Sequence, residues 1–416
     1  MQKGQQEEKT LKKSGRKNVR TGGIFGRKKT KCILAMVCVL LLAAGLFPVQ
    51  KTAAEELALT SEAYVLMEGS TGEILCEKDA TKQLRPASIT KIMTLLLIFE
   101  AVESGKISLT DEVSVSEHAA SMGGSQVYLE PYEKQPVETM IKCISIASAN
   151  DASVAMAEFI AGSEEAFVAQ MNERAAQLGM ENTHFVNCYG LDTDGHYSCA
   201  LDVAKMSRAL IMNHPEISNY STVWMDTFVH TTSRGQTEFG LTNTNKLIKS
   251  YQGITGLKTG STELAKYCLS ATARRDDMNL IAVIMAAPDT KTRFKEAAEL
   301  LNYGFANYQL YRYDFSGDNI ARVPVKSGVD KEIALIPQQE FSKLFGKDVK
   351  KDAVELVFTY EKELFAPVEA GTPAGRATFL YEGKELGSVE LVTADSVAKA
   401  KYSDILLSVW KQYFKR

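Results

Sequence analysis

The chain of 416 residues is 45% hydrophobic and 24% charged, ordinary globular values that exclude wholesale disorder and collagen-like or low-complexity structure. Its net charge of −3 hides a split: residues 1–31 hold eleven Lys and Arg against Glu7 and Glu8, while the body from Glu55 onward carries 36 basic and 49 acidic residues. A body that acidic is a poor binder of phosphate backbones, which argues against nucleic acid as a partner.

The basic head runs into sixteen residues without a charge, Cys32–Phe47, shorter than the roughly 20 that a membrane span needs. With Thr52-Ala53-Ala54 behind it, this is the pattern of a secretory signal peptide over residues 1–54, cleaved near Ala54. The alternative is an uncleaved N-terminal anchor. Both predict export of the body.

Beyond the leader, Ala63–Met67 and Glu73–Glu77 flank Gly69-Ser-Thr-Gly72 and predict a β-hairpin. Pro86 and Gly105 bracket a helix that is apolar on nearly every face, as expected at the centre of a domain. Helical patterns follow at 137–146, 150–161, 164–178 and 202–212; strand patterns return at Gly256–Thr259, Tyr267–Ala273 and Leu280–Met285, before a helix over 290–308. This order predicts an antiparallel sheet packed with helices, with the helical middle forming a subdomain. After Tyr313, Ile320–Val325, Val354–Tyr360, Arg376–Tyr381 and Leu386–Val392 read as strands of a small β-sandwich. At the end, Tyr402, Ile405, Leu406, Val409, Trp410, Tyr413 and Phe414 fall on one helical face framed by Lys and Arg. Such a helix suits a membrane interface, with docking on the β-domain as the alternative.

Five cysteines lie in the body: Cys76, Cys143, Cys188, Cys199 and Cys268. Odd in number and scattered, they predict small buried side chains and no disulfide framework, with Cys188 and Cys199 the only pair close enough to suspect. The histidines show no metal-ligand spacing, so a catalytic metal is disfavoured.

Three short motifs carry chemistry. Ser88 and Lys91 are three apart at the start of the apolar helix, so their side chains share a face. A serine hydroxyl needs a base to become a nucleophile, and a lysine serves only when burial keeps it neutral. Ser148-Ala-Asn150, between two helical stretches, offers a hydroxyl and an amide. Lys258-Thr259-Gly260, on a predicted strand, offers a charge and a hydroxyl to a carboxylate, beside a Gly that permits close backbone approach. Singly, each has an ordinary explanation: helix-start decoration, an N-cap, a solvated lysine before a turn.

Together, in this order with gaps of 60 and 110 residues, they resemble the active-site set of the low-molecular-mass penicillin-binding proteins, serine-type D-alanyl-D-alanine carboxypeptidases of peptidase family S11. The resemblance runs from about residue 60 to the C-terminus and includes Arg85–Lys91, Gly123-Gly-Ser125, Ala147–Ala152, Asn187–Asp192, Thr242–Lys246 and Gly256–Gly260. It implies an α/β (α+β) β-lactamase/transpeptidase-like catalytic domain over 55–313, with antiparallel sheet and helical subdomain. It further implies a C-terminal all-β domain over 314–395, an amphipathic membrane-anchor helix over 396–416, and no cofactor.

Carried over, Ser88 would attack the penultimate D-Ala carbonyl of a peptidoglycan stem pentapeptide, with Lys91 as base. Ser148 would pass the proton to the leaving D-Ala, and Asn150 would orient Lys91 and the substrate amide. Lys258 and Thr259 would bind the terminal carboxylate, and the backbone N–H groups of Ser88 and Ser261 would form the oxyanion hole. β-Lactams would be covalent inhibitors. Two rivals remain: a class A β-lactamase and a non-catalytic wall-binding relative. The first would need a deacylating glutamate in an ExxLN stretch, and the nearest approach, Glu238–Thr242, ends in Thr.

Overall fold

The computed structural model describes residues 57–316 and 320–404, with 406 and 410. The expected signal peptide over 1–54 lies outside them. The chain divides into two compact units, one of Leu59–Ser316 with Glu340–Val354, the other taking the rest of the C-terminal part.

In chain order the first unit holds β1 (Ala63–Glu68), β2 (Ile74–Lys78), α1 (Lys91–Glu103), β3 (Glu112–Ser114), β4 (Lys134–Pro136), α2 (Val137–Ile146), α3 (Asn150–Ala161), α4 (Glu164–Gln177) and α5 (Ala200–Asn213). It continues through β5 (Met225–Thr232), β6 (Gly235–Thr242), β7 (Ile254–Thr262), β8 (Lys266–Arg275), β9 (Met278–Ala287) and α6 (Thr290–Asn307). Five strands form an antiparallel sheet in the order β2-β1-β9-β8-β7. The near-continuous apolar run of β9 is explained by its place: it is paired on both edges, and α5 and α6 both pack against it. β7 is left at the edge of the sheet.

The helices begin and end close to where the sequence places them. The exception matters most for the site. The expected helix from Pro86 starts as a 3₁₀ turn over Ala87–Thr90, and α1 proper begins at Lys91. Pro86 has no N–H to contribute, and Ala87 takes a left-handed φ of 48°, so regular α-geometry begins only after this turn. In 3₁₀ geometry residues three apart eclipse one another, which sets Ser88 and Lys91 on the same side. Behind them, Ile92, Met93, Leu95, Leu96, Ile98 and Phe99 are all buried.

The β5–β6 hairpin was not anticipated. Its two strands bury only one face, through Phe228, His230 and Leu241, and its Thr- and Gly-rich other face dilutes the pattern. Tyr308–Tyr313 pairs antiparallel with Phe341–Gly346, so part of the span expected as β-domain clusters with the first unit.

The second unit is built on a six-stranded sheet. Val354–Tyr360, Pro373–Tyr381, Lys384–Thr393, Glu332–Pro337, Ala321–Lys326 and Leu364–Phe365 lie side by side in that order. At the C-terminus Tyr402–Asp404, Leu406 and Trp410 are helical, and Tyr402, Leu406 and Trp410 are exposed. Ile405, Val409, Tyr413 and Phe414 lie outside the described residues. Among the described residues no helix is long and apolar enough to cross a membrane. All five body cysteines are free, and all but Cys76 are buried.

Candidate active site

The three motifs converge. Ser88 lies on the 3₁₀ turn, half-buried, and Lys91 opens α1. Ser148 sits between α2 and α3 with a left-handed φ of 63°, and Asn150 begins α3. Lys258, Thr259 and Gly260 lie on the edge strand β7, followed by exposed Ser261. β7 presses directly on the nucleophile turn: a Cβ added at Gly260 would stand 3.0 Å from Ser88 N and 2.9 Å from the Pro86 carbonyl oxygen. Only glycine permits that approach.

Lys91 is fully buried. Its Nζ donates to Ser88 Oγ at 3.1 Å, to Asn150 Oδ1 at 2.6 Å and to the Tyr189 carbonyl at 2.7 Å, none of them a carboxylate. Burial pulls its pKa down to about 7, against smaller upward pushes from Cys188 and Asp151. Near neutrality a large fraction is therefore free amine, the form that can take a proton from Ser88. Asn150 cannot turn away. Its Nδ2 donates to the Gly123 carbonyl at 2.6 Å, which fixes Oδ1 toward Lys91, and its backbone N–H donates to the Ser125 carbonyl at 2.7 Å.

Lys258 is equally buried. Its Nζ donates to Ser148 Oγ at 2.8 Å and to the Thr259 carbonyl at 3.1 Å. Burial, and then the positive charges of Lys91 and Arg293, hold its pKa well below the ordinary lysine value. A buried lysine with no paired carboxylate is best stabilised in its charged form by an anionic ligand. The Thr259 hydroxyl lies 2.5 Å from that of Thr244, on the loop before β7.

Several groups at the site escaped sequence reasoning. The Tyr189 carbonyl is one, because a backbone acceptor leaves no residue-type signal. Arg293, buried at the start of α6, is another: its Nη1 donates to the Gly260 carbonyl at 2.9 Å and the Cys268 carbonyl at 3.2 Å. Asp151, also buried, accepts from the backbone N–H groups of Val127 and Leu129, the latter at 3.1 Å. Glu238, weighed above as a deacylating residue, is exposed on β6 opposite Val229.

Comparison with known proteins agrees with this geometry. Residues 50–289 match the D-alanyl-D-alanine carboxypeptidase family, peptidase S11, and residues 308–399 match the penicillin-binding protein 5 C-terminal domain. The chain is 41% identical to D-alanyl-D-alanine carboxypeptidase DacF of Bacillus subtilis, over 84% of this chain and 89% of that protein. Penicillin-binding protein 5 of Haemophilus influenzae superposes with a TM-score of 0.70 at 31% identity, covering 82% of this chain and 98% of that one. Penicillin-binding protein 6B of Escherichia coli gives 0.64 at 28% identity, covering 80% and 96%. A transpeptidase-like catalytic fold with a C-terminal all-β domain, a buried lysine beside a half-exposed serine, and these matches over most of its length have one reading: the chain belongs to the D-alanyl-D-alanine carboxypeptidase family of serine peptidases.

Proposed function

We propose that the protein removes the terminal D-alanine from peptidoglycan stem pentapeptides through an acyl-enzyme on Ser88, and that β-lactams acylate the same serine. The observation that carries this reading is Lys91 Nζ, buried, without a carboxylate among its hydrogen-bond partners, and 3.1 Å from Ser88 Oγ.

Ser88 Oγ attacks the penultimate D-Ala carbonyl as its proton passes to neutral Lys91. The tetrahedral oxyanion is held by the backbone N–H groups of Ser88 and Ser261. As the C–N bond breaks, the proton moves through Ser148 Oγ to the leaving amine, and D-Ala departs. Water then attacks the ester, Lys91 takes its proton, and Ser88 is released with the tetrapeptide. Asn150 holds Lys91 and grips the substrate amide. Lys258, aided by Thr259, pairs with the terminal carboxylate, whose arrival favours the charged form of a lysine that burial otherwise keeps low. No cofactor takes part.

The same reading assigns catalysis to residues 55–313, an all-β domain to 314–395 and a membrane-surface helix to 396–416, which hold the exported enzyme at the outer face of the cell membrane. Exposed Tyr402, Leu406 and Trp410 support that role. The rival β-lactamase reading is not favoured, for Glu238 is exposed on a hairpin and the family matches are carboxypeptidases. Intact mass and peptide mapping after treatment with a penicillin test the assignment. One acyl group on Ser88, with D-Ala release from a pentapeptide, is expected; an adduct elsewhere, or none on folded protein, overturns it.

A further inference from the structure

A neutral lysine has two N–H bonds and one lone pair. For Lys91 to receive the Ser88 proton, the lone pair must face Ser88, so both N–H bonds need acceptors elsewhere. Asn150 Oδ1 at 2.6 Å and the Tyr189 carbonyl at 2.7 Å are those acceptors. Asn150 is fixed by its own bonds. The Tyr189 carbonyl belongs to an irregular segment whose own turn is held by Asn187, Oδ1 accepting from the Gly190 N–H at 2.6 Å, and that turn must still be tied to the helix that carries Lys91.

His196 spans that gap. Its imidazole is buried, and its Nδ1 accepts from the backbone N–H of Val186 at 3.0 Å, three residues before Tyr189. A backbone N–H can only donate, so in the neutral ring Nε2 carries the proton and donates to Thr90 Oγ1 at 2.8 Å. Thr90 immediately precedes Lys91. The ring therefore ties the residue next to the base to the segment that carries the base's backbone acceptor. Neighbouring contacts draw the same segment in. The Thr94 hydroxyl donates to the Cys188 carbonyl at 2.6 Å, and Gly190, at φ 91°, lies so close to the nucleophile turn that a Cβ would stand 1.9 Å from the Ala87 carbonyl oxygen.

We infer that His196 is a positioning residue for the general base: bridging Thr90 and Val186, it places the Tyr189 carbonyl so that the Lys91 lone pair faces Ser88. This rests on the reading of Lys91 as base given above. His196 stays neutral throughout the range in which Lys91 titrates, since burial, with the positive charge of Arg85 adding to it, holds its pKa down to about 4.

The test is the rate of Ser88 acylation by a penicillin as a function of pH, with folding followed by thermal melting. His196→Ala lowers the plateau rate about 100-fold, the scale of an ångström-sized misplacement near reacting atoms. It also moves the acid limb to lower pH, because Lys91 loses a carbonyl that favours its charged form, and Cys188, on the same segment, moves with it, while Asp151 and Lys258 act on Lys91 as before. Thr90→Val cuts the bridge at its other end, keeps the side-chain shape and gives the same two changes; it decides the question alone if His196→Ala does not fold. His196→Gln, with one acceptor and one donor across a similar span, recovers most of the rate. A wild-type rate and limb in His196→Ala or Thr90→Val overturn the inference, as does a lowered melting temperature with an unmoved limb. Absence of acylation in the wild-type protein would instead strike the Ser88–Lys91 reading itself, before any variant is compared.

Discussion

Two buried lysines define the site, and their surroundings differ. Around Lys91 three rigid acceptors from three segments converge: the Ser88 hydroxyl on a 3₁₀ turn, the Asn150 amide at a helix start and the Tyr189 carbonyl. Around Lys258, on the edge strand β7, there is one hydroxyl and the carbonyl of its own neighbour. Burial depresses both, but Cys188 and Asp151 oppose the depression at Lys91, whereas at Lys258 the charges of Lys91 and Arg293 deepen it. Equal burial thus yields two tools. One lysine is balanced to gain and lose a proton near neutrality, and the other is poised to take its charge from an incoming anion.

The largest expected effect tests the first half of that contrast. Lys91→Ala lowers Ser88 acylation by up to about 10⁴-fold, the upper range for a general base, and intact mass over time shows it. Retained acylation in a folded variant would mean that the base lies elsewhere. Lys258→Ala tests the second half. Losing one partner of a desolvated charge pair costs about 2–5 kcal/mol, so kcat/KM for a pentapeptide acid falls roughly 30- to several-thousand-fold. A pentapeptide amide, with no carboxylate to read, loses far less; equal losses on both would remove the distinction between the two lysines.

A third prediction concerns stability. The unfolded chain protonates Lys91 at the ordinary value of 10.5, the folded one only near 7. Between these values the unfolded state holds more protons, so this residue makes stability rise with pH across that window. Its burial penalty is full below about pH 7 and relieved above 10.5. Lys91→Met, similar in length and uncharged, therefore raises the melting temperature most below pH 7 and flattens the climb above it. The smallest effect on catalysis comes from ending the chain near Asp395. Acylation and carboxylate preference stay at wild-type values, while sedimentation with anionic vesicles is lost, each cation of Lys411, Lys415 and Arg416 contributing about 1 kcal/mol at low salt. Continued sedimentation would place the membrane contact elsewhere.

The elements that carry the site were readable because their signals are local. Pro86 and Gly105 bracket one helix, and the apolar run Leu280–Met285 is a strand that only a sheet centre can accommodate. The three motifs were legible as residue types in order. What stayed hidden was contributed by backbone or by distant partners. The Tyr189 carbonyl has no signature in a sequence. Arg293 reads as a helix-start charge until the fold lays it under β7, and His196 as one more histidine until Thr90 and Val186 close on it. The 3₁₀ turn escaped for a related reason: Pro before a helical pattern marks a start, but the left-handed Ala87 that delays it shows no preference for that conformation.

The pairing of β1 with β9 has a temporal consequence. Ala63 stands opposite Met285, so the first strand of the body waits for almost the last strand of the catalytic unit. Contacts so distant in sequence are slow to form, because a long loop must close before they can stabilise anything. Ser88, Lys91 and strand β7 are consequently separate objects on a chain still being synthesised. The site as a whole is therefore assembled late, with sheet closure, and not piece by piece as the chain emerges.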